Sequence, residues 1–219
     1  MLGLYTNIAT LLCTAIAFIY GALRFFRRGK ALYLQMIVCG VGCMMLGRLF
    51  QVVMLLTGGY IAEGFHVGIL GTIGCFLFFF SANYGQMDHL ADDGGTNTMK
   101  YRLAALAAPA VIAAGFIPIA LSNTTWENKC TDFIVVLFIM QASYFNLKHL
   151  IMPDVDLGII RCIRGYNFLA LIFALLSMAE MTLWIVGNGI TISLVCVLNC
   201  VASLLIMPML ERGVKKWTI

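Results

Sequence analysis

The stretch ALYLQMIVCGVGCMMLGRLFQVVMLLTG, residues 31–58, decides the fold. It exceeds the roughly 20 apolar residues that an α-helix, rising about 1.5 Å per residue, needs to cross the hydrocarbon core of a bilayer. One charge interrupts it, Arg48, with Gln51 one turn further on. An arginine at the centre of a membrane helix costs about 2.5–3.5 kcal/mol on insertion scales, so it faces the protein interior, where a partner or water satisfies it. The stretch therefore predicts a membrane helix inside a bundle, and it raises the question of what Arg48 pairs with.

The remainder of the 219-residue chain has the same character, with 62% hydrophobic and 11% charged residues. Soluble domains run at roughly 45–50% apolar and about 25% charged. The sequence is that of an integral membrane protein whose first partner is the lipid bilayer, a single domain over residues 1–219 with no room for a soluble catalytic module. The net charge of +4 sits at helix ends and is no nucleic-acid footprint.

Apolar runs outward from the opening stretch predict seven spans, at about residues 4–23, 31–57, 65–84, 103–121, 133–150, 166–186 and 190–210. Arg24, Arg27, Arg28 and Lys30 follow the first span instead of preceding it, so that span reads as a retained anchor and not as a signal peptide. Nearly all Lys and Arg fall in the links after spans 1, 3 and 5 or after span 7, and the opposite side has Lys129 alone. The positive-inside rule makes that side cytoplasmic, giving a seven-helix all-α bundle with its N-terminus outside and its C-terminus in the cytoplasm. We expect a plasma membrane, in a bacterium.

Several patterns read as packing. Gly68, Gly71 and Gly74 lie three apart in the third span and predict close approach of another helix; a dinucleotide site would need G-x-G-x-x-G at a strand-to-helix turn. Pro109 and Pro118 predict a kink in span 4. Seven of the eight cysteines lie in or beside apolar runs and only Cys130 in a predicted outer loop, so no disulfide is expected; Cys39/Cys43 and Cys196/Cys200, at helical spacing, read as small buried packing residues. Asn123, Thr124 and Thr125 form a glycosylation sequon in the same predicted loop, residues 122–132. Spans 1–3 and 5–7 both start outside, which allows parallel repeats with Arg48 and Glu180 on the middle helix of each.

The polar residues inside the membrane carry the functional reading. Arg48 lies about 17 residues above the cytoplasmic start of its span and Glu180 about 15 above that of span 6, hence at similar depth. Opposite charges at matched depth predict a buried Arg48–Glu180 interaction, direct or through a ligand. Gln51, Glu63, His66 and Asp132, with Gln141 and Asn199 deeper, are expected to line a pocket open to the outside and closed below by Phe76, Phe78, Phe79 and Phe80. The ligand-binding set is thus Arg48, Gln51, Glu63, His66 and Glu180. Arg48 would meet an anionic group, Glu180 would be its counter-ion or proton carrier, and His66 would act at the mouth.

A second cluster, Asp88, His89, Asp92 and Asp93, follows span 3. Asp88 and Asp92 are spaced to hold Mg²⁺ against a phosphate, with Lys100, Arg102, Arg161 and Arg164 as phosphate partners, which is the best enzyme reading: a lipid-phosphate transferase. The neighbouring Gly94 and Gly95 make a solvated turn the simpler account. No Ser-His-Asp arrangement is evident, no cofactor is implied, and span 7 holds no lysine for a retinal Schiff base. The expectation is a non-enzymatic transporter of a small solute. A seven-helix sensor working through a membrane or cytoplasmic protein partner, or a homo-oligomer, is the alternative.

Overall fold

A computed structural model of the chain describes residues 2–27, 30–60, 64–88, 96–153 and 159–217. Among these residues it is entirely helical, with α1 (Leu2–Phe25), α2 (Leu32–Thr57), α3 (Val67–Ala82), α4 (Thr96–Ala105), α5 (Ala107–Leu121), α6 (Trp126–Ile151), α7 (Ile159–Val186) and α8 (Gly189–Trp217). A π-helical turn, Asn83–Asp88, extends α3. Seven stretches are long and apolar enough to cross a membrane: Leu2–Phe25, Leu32–Thr57, Val67–Gly85, Thr98–Leu121, Trp126–Ile151, Cys162–Val186 and Gly189–Lys215. Large apolar side chains such as Leu121 (79%) and Ile190 (81%) are exposed on the outer surface. In water they would be a liability; facing lipid they cost nothing.

The helix ends follow local chemistry. Gly58 closes α2 with its N–H on the Met54 carbonyl (2.8 Å), and Gly59 turns the chain away at φ +70°, a backbone only glycine adopts freely. His66 starts α3 by accepting from the Gly68 N–H at Nδ1. Asn188 and Thr191 cap each other between α7 and α8, with Thr191 N–H donating to Asn188 Oδ1 and Asn188 N–H to Thr191 Oγ1. The expected kink in span 4 is a break at Leu106. Pro109 has no N–H for the Ala105 carbonyl and its ring would clash with it, so α4 stops there and α5 restarts, while Pro118 is accommodated within α5.

Residues 126–132, expected to be loop, are the first two turns of α6. Thr125 caps them by accepting from the Asn128 N–H and Glu127 sits in the first turn, where the helix dipole favours an acid. Polarity in this segment marks a helix end at the membrane boundary instead of a loop, and it carries Cys130 and Asp132 onto the helix. The tail expected after residue 210 likewise continues α8 to Trp217.

Helices α1, α2, α3, α6, α7 and α8 close a ring in that order, each packed on the next and α8 back on α1, with α4–α5 outside against α6 and α7. The order of neighbours is the same if α1, α2, α3 are exchanged with α6, α7, α8. Arg48 and Glu180 then stand on equivalent middle helices, α2 and α7.

The tightest seam is between α2 and α3. A Cβ on Gly71 would lie 2.5 Å from Gly47 Cα and 2.6 Å from the Cys43 carbonyl, and one on Gly74 would lie 3.0 Å from Cys43 Sγ. The glycine series serves packing, as expected. Inside the ring Phe76, Phe79, Phe173 and Tyr166 are fully buried and meet at centroid distances of 5.9–6.4 Å, forming an aromatic layer between α3 and α7.

Candidate functional site

Above that layer, toward the end of the bundle that holds the amino terminus, lies a cavity of about 500 Å³. Helical periodicity aims its walls. Met44, Arg48 and Gln51 stand on one face of α2, Asn128, Thr131, Asp132 and Val135 on one face of α6, and Ser177, Glu180, Met181, Trp184 and Ile185 on one face of α7. Asn7 of α1, Gly64, the N-cap His66, and Ile69 and Thr72 of α3 complete it, and the exposed Thr124 lies at its rim. Phe76 and Phe173 come one turn below Thr72 and Ser177, so the aromatic layer is the floor.

The Arg48–Glu180 pair is direct, with Nη2 3.1 Å from Oε2. Arg48 Nη1 donates to Asn7 Oδ1 at 3.1 Å and makes a longer 3.5 Å contact with Gln51 Oε1. Glu180 Oε2 also accepts from Asn199 Nδ2 at 2.9 Å. Four helices, α1, α2, α7 and α8, are tied at one point, and removing either ion would strand its partner in a site that exposes 15% of Arg48 and 5% of Glu180. The network is incomplete, since Arg48 Nε, Ser177 Oγ and Asn199 Oδ1 are buried without a protein partner. Buried polar atoms of this kind take a water or a ligand.

At the mouth, His66 stacks on Phe50 (5.6 Å, 20°) and accepts from Gly68 N–H at Nδ1 (3.1 Å), which leaves the proton of the neutral ring on Nε2. Burial pushes its pKa below the ordinary histidine value, favouring that neutral form. Gly64, at φ +70°, donates its N–H to Asn128 Oδ1 at 2.6 Å and pins the α2–α3 link to α6.

Arg48, Gln51, His66 and Glu180 are therefore together around one cavity, and Asp132 joins them. Glu63 lies outside the described residues. Gln141 is exposed on the surface of α6, away from the cavity. Asn7, Asn128, Thr131, Ser177 and Trp184 belong to the walls without having been singled out in the sequence. The α7 residues repeat at i, i+3, i+4, i+7 and i+8 around Glu180, a pattern that was available to find them.

At the opposite end, Asp88 is bound by Lys148 Nζ at 2.6 Å and His149 Nε2 at 3.2 Å. Burial alone would raise its pKa, but hydrogen bonds from His149 and Lys148 outweigh that and hold it below the usual carboxylate value. Asn83 Nδ2 donates to Asn146 Oδ1 (2.7 Å) beside them. Asp92, its expected metal partner, lies outside the described residues. Arg164 donates to the Met152 carbonyl (2.8 Å), and Lys100 sits over the Tyr101 ring. Among the described residues no three His, Cys, Asp or Glu side chains are grouped as a metal site.

Comparison with known protein families, with characterised proteins and with solved structures finds no match to this chain.

Proposed function

We propose that this multispan membrane protein binds a small solute in the cavity around Arg48 and Glu180 and carries it across the membrane. The observation that carries the proposal is the cavity itself, about 500 Å³ with a charged, incompletely satisfied network in its wall and an aromatic floor. Volumes of about 300–1,000 Å³ with a few convergent polar groups are typical of small-molecule sites. A purely structural ion pair needs no such space beside it. The matching neighbour order of the two halves adds support, because two three-helix units meeting at a central site can rock against each other to open it alternately to either side.

In this reading the cavity opens to the outside. The end with the amino terminus carries Lys129 alone, and the other Lys and Arg outside the membrane lie at the opposite end, which is cytoplasmic by the positive-inside rule. A phosphoryl-transfer site at that cytoplasmic end has less support: Asp88 is already ion-paired with Lys148 and in contact with His149, so Mg²⁺ would have to displace them. The test is uptake of labelled solutes, supplied as pools of amines, amino acids, carboxylates and sugars, into vesicles containing the purified protein. Saturable uptake that falls at least tenfold in Glu180→Gln supports transport; no uptake above protein-free vesicles, or uptake unaffected by that change, rejects it.

A further inference from the structure

The charge of the cavity selects among solutes. Arg48 would attract an anion if it were free, but Glu180 holds one edge of its guanidinium at 3.1 Å and Asn7 the next amine. The ion pair adds no net charge to the wall. Asp132, on α6, lines the same cavity and has no ion-pair or hydrogen-bond partner among the described residues. Among the described residues of the lining the only other titratable group is His66, which is favoured in its neutral form. The described lining thus has one carboxylate more than it has cations.

The remaining lining suits the rest of such a molecule. Ser177 is 5% exposed and its Oγ, unpaired in the same wall, is a further acceptor. Met44, Val135, Met181, Trp184 and Ile185 supply apolar surface in the same lining, and an indole face attracts cations as well as hydrocarbon.

We infer that the solute is a small organic cation, a protonated amine on an apolar body, whose ammonium donates to the Asp132 carboxylate while the body packs against Trp184 and Met181. The inference rests on the reading that the cavity binds a solute. It reverses the preference that Arg48 alone suggests, because Glu180 has already answered that charge.

The test is thermal unfolding of the full-length protein in detergent with matched probes: butyl, cyclohexylmethyl and benzyl compounds, each as ammonium, alcohol and carboxylate. A ligand bound by the native state raises the midpoint by mass action. The expected result is stabilisation by ammonium members only, with apparent affinity at least tenfold weaker in Asp132→Asn and largely kept in Asp132→Glu. Stabilisation by carboxylates or alcohols to an equal or greater degree overturns the cationic solute and leaves the solute-binding reading standing. Ammonium binding that is unchanged in Asp132→Asn overturns the role of Asp132. No shift from any of the nine probes in the wild-type protein overturns the cationic solute, and the uptake of the amino-acid and sugar pools then decides the solute-binding reading separately.

Discussion

Arg48 and Glu180, 132 residues apart in the chain, meet at 3.1 Å from the middle helices of two three-helix halves. Each also holds an amide from an outer helix, Asn7 on α1 and Asn199 on α8. The pair is thus a structural tie and the charged wall of a cavity at once.

That dual position predicts strong coupling. Arg48→Met or Glu180→Leu alone leaves one buried ion unpaired and is expected to cost about 3–5 kcal/mol. The double variant restores neutrality and should cost less than the sum of the singles by at least about 1 kcal/mol. Reversible unfolding in mixed micelles measures the cycle, and additive losses would mean that the two charges do not stabilise each other.

The α2–α3 seam predicts a difference between two glycines. Gly71→Ala places a methyl against Gly47 Cα and the Cys43 carbonyl, both backbone, so the helices must separate. Gly59→Ala meets nothing within 4 Å and carries only the strain of its φ of +70°. The first should lower stability by about 2 kcal/mol or more and the second by about 1 kcal/mol. Thermal midpoints compare them, and equal losses would contradict the close packing.

His66 predicts a pH dependence on the acid side of neutrality. Its folded pKa lies below the unfolded value of about 6.5, so the unfolded chain binds the proton first. The contribution of His66 is fully present above about pH 6.5 and is lost as pH falls through the depressed folded value. Stability measured from pH 8 to 5 should lose that component in His66→Asn, which keeps a capping side chain. An identical pH profile in the variant would show that His66 does not titrate in this way.

Asp88 acts lower on the scale. With a folded pKa depressed by Lys148 and His149, its stabilisation is present above the unfolded value of about 4 and is lost as pH falls through the folded one. Asp88→Asn should cost about 1–3 kcal/mol at pH 7 and flatten the decline in stability below pH 4. Unfolding at the two pH values tests it, and a variant as stable as wild type at pH 7 would remove the proposed role of the cluster.

What the sequence disclosed follows from how each signal arises. Spans and the Arg48–Glu180 pair were legible because an intramembrane charge is costly enough to demand a partner, and depth can be counted along a helix. The start of α6 was misread because Trp126–Asp132 is polar, and polarity at a membrane boundary looks the same in a loop and in a capped helix end. That error hid Asn128 and Thr131 from the cavity wall. Asn7 was missed because one amide in an apolar span costs too little to stand out, and Lys148 and His149 because a basic span end already satisfies the positive-inside pattern. The proposed cation preference needed coordinates, since only contact shows that Glu180 uses up Arg48 while Asp132 has no ion-pair partner among the described residues.

In the proposed function the solute cavity is entered from outside and closed below by the aromatic layer. This is tested most directly by introducing Ser177→Cys, in the cavity wall, and Ala170→Cys, two turns lower beside the buried Phe173, and treating intact cells with a membrane-impermeant thiol reagent. Labelling of the first variant above the parent background is expected, with no added labelling of the second and slowing of the first by ammonium solutes. A Ser177→Cys protein that labels only after the cells are opened, or not at all, would contradict it.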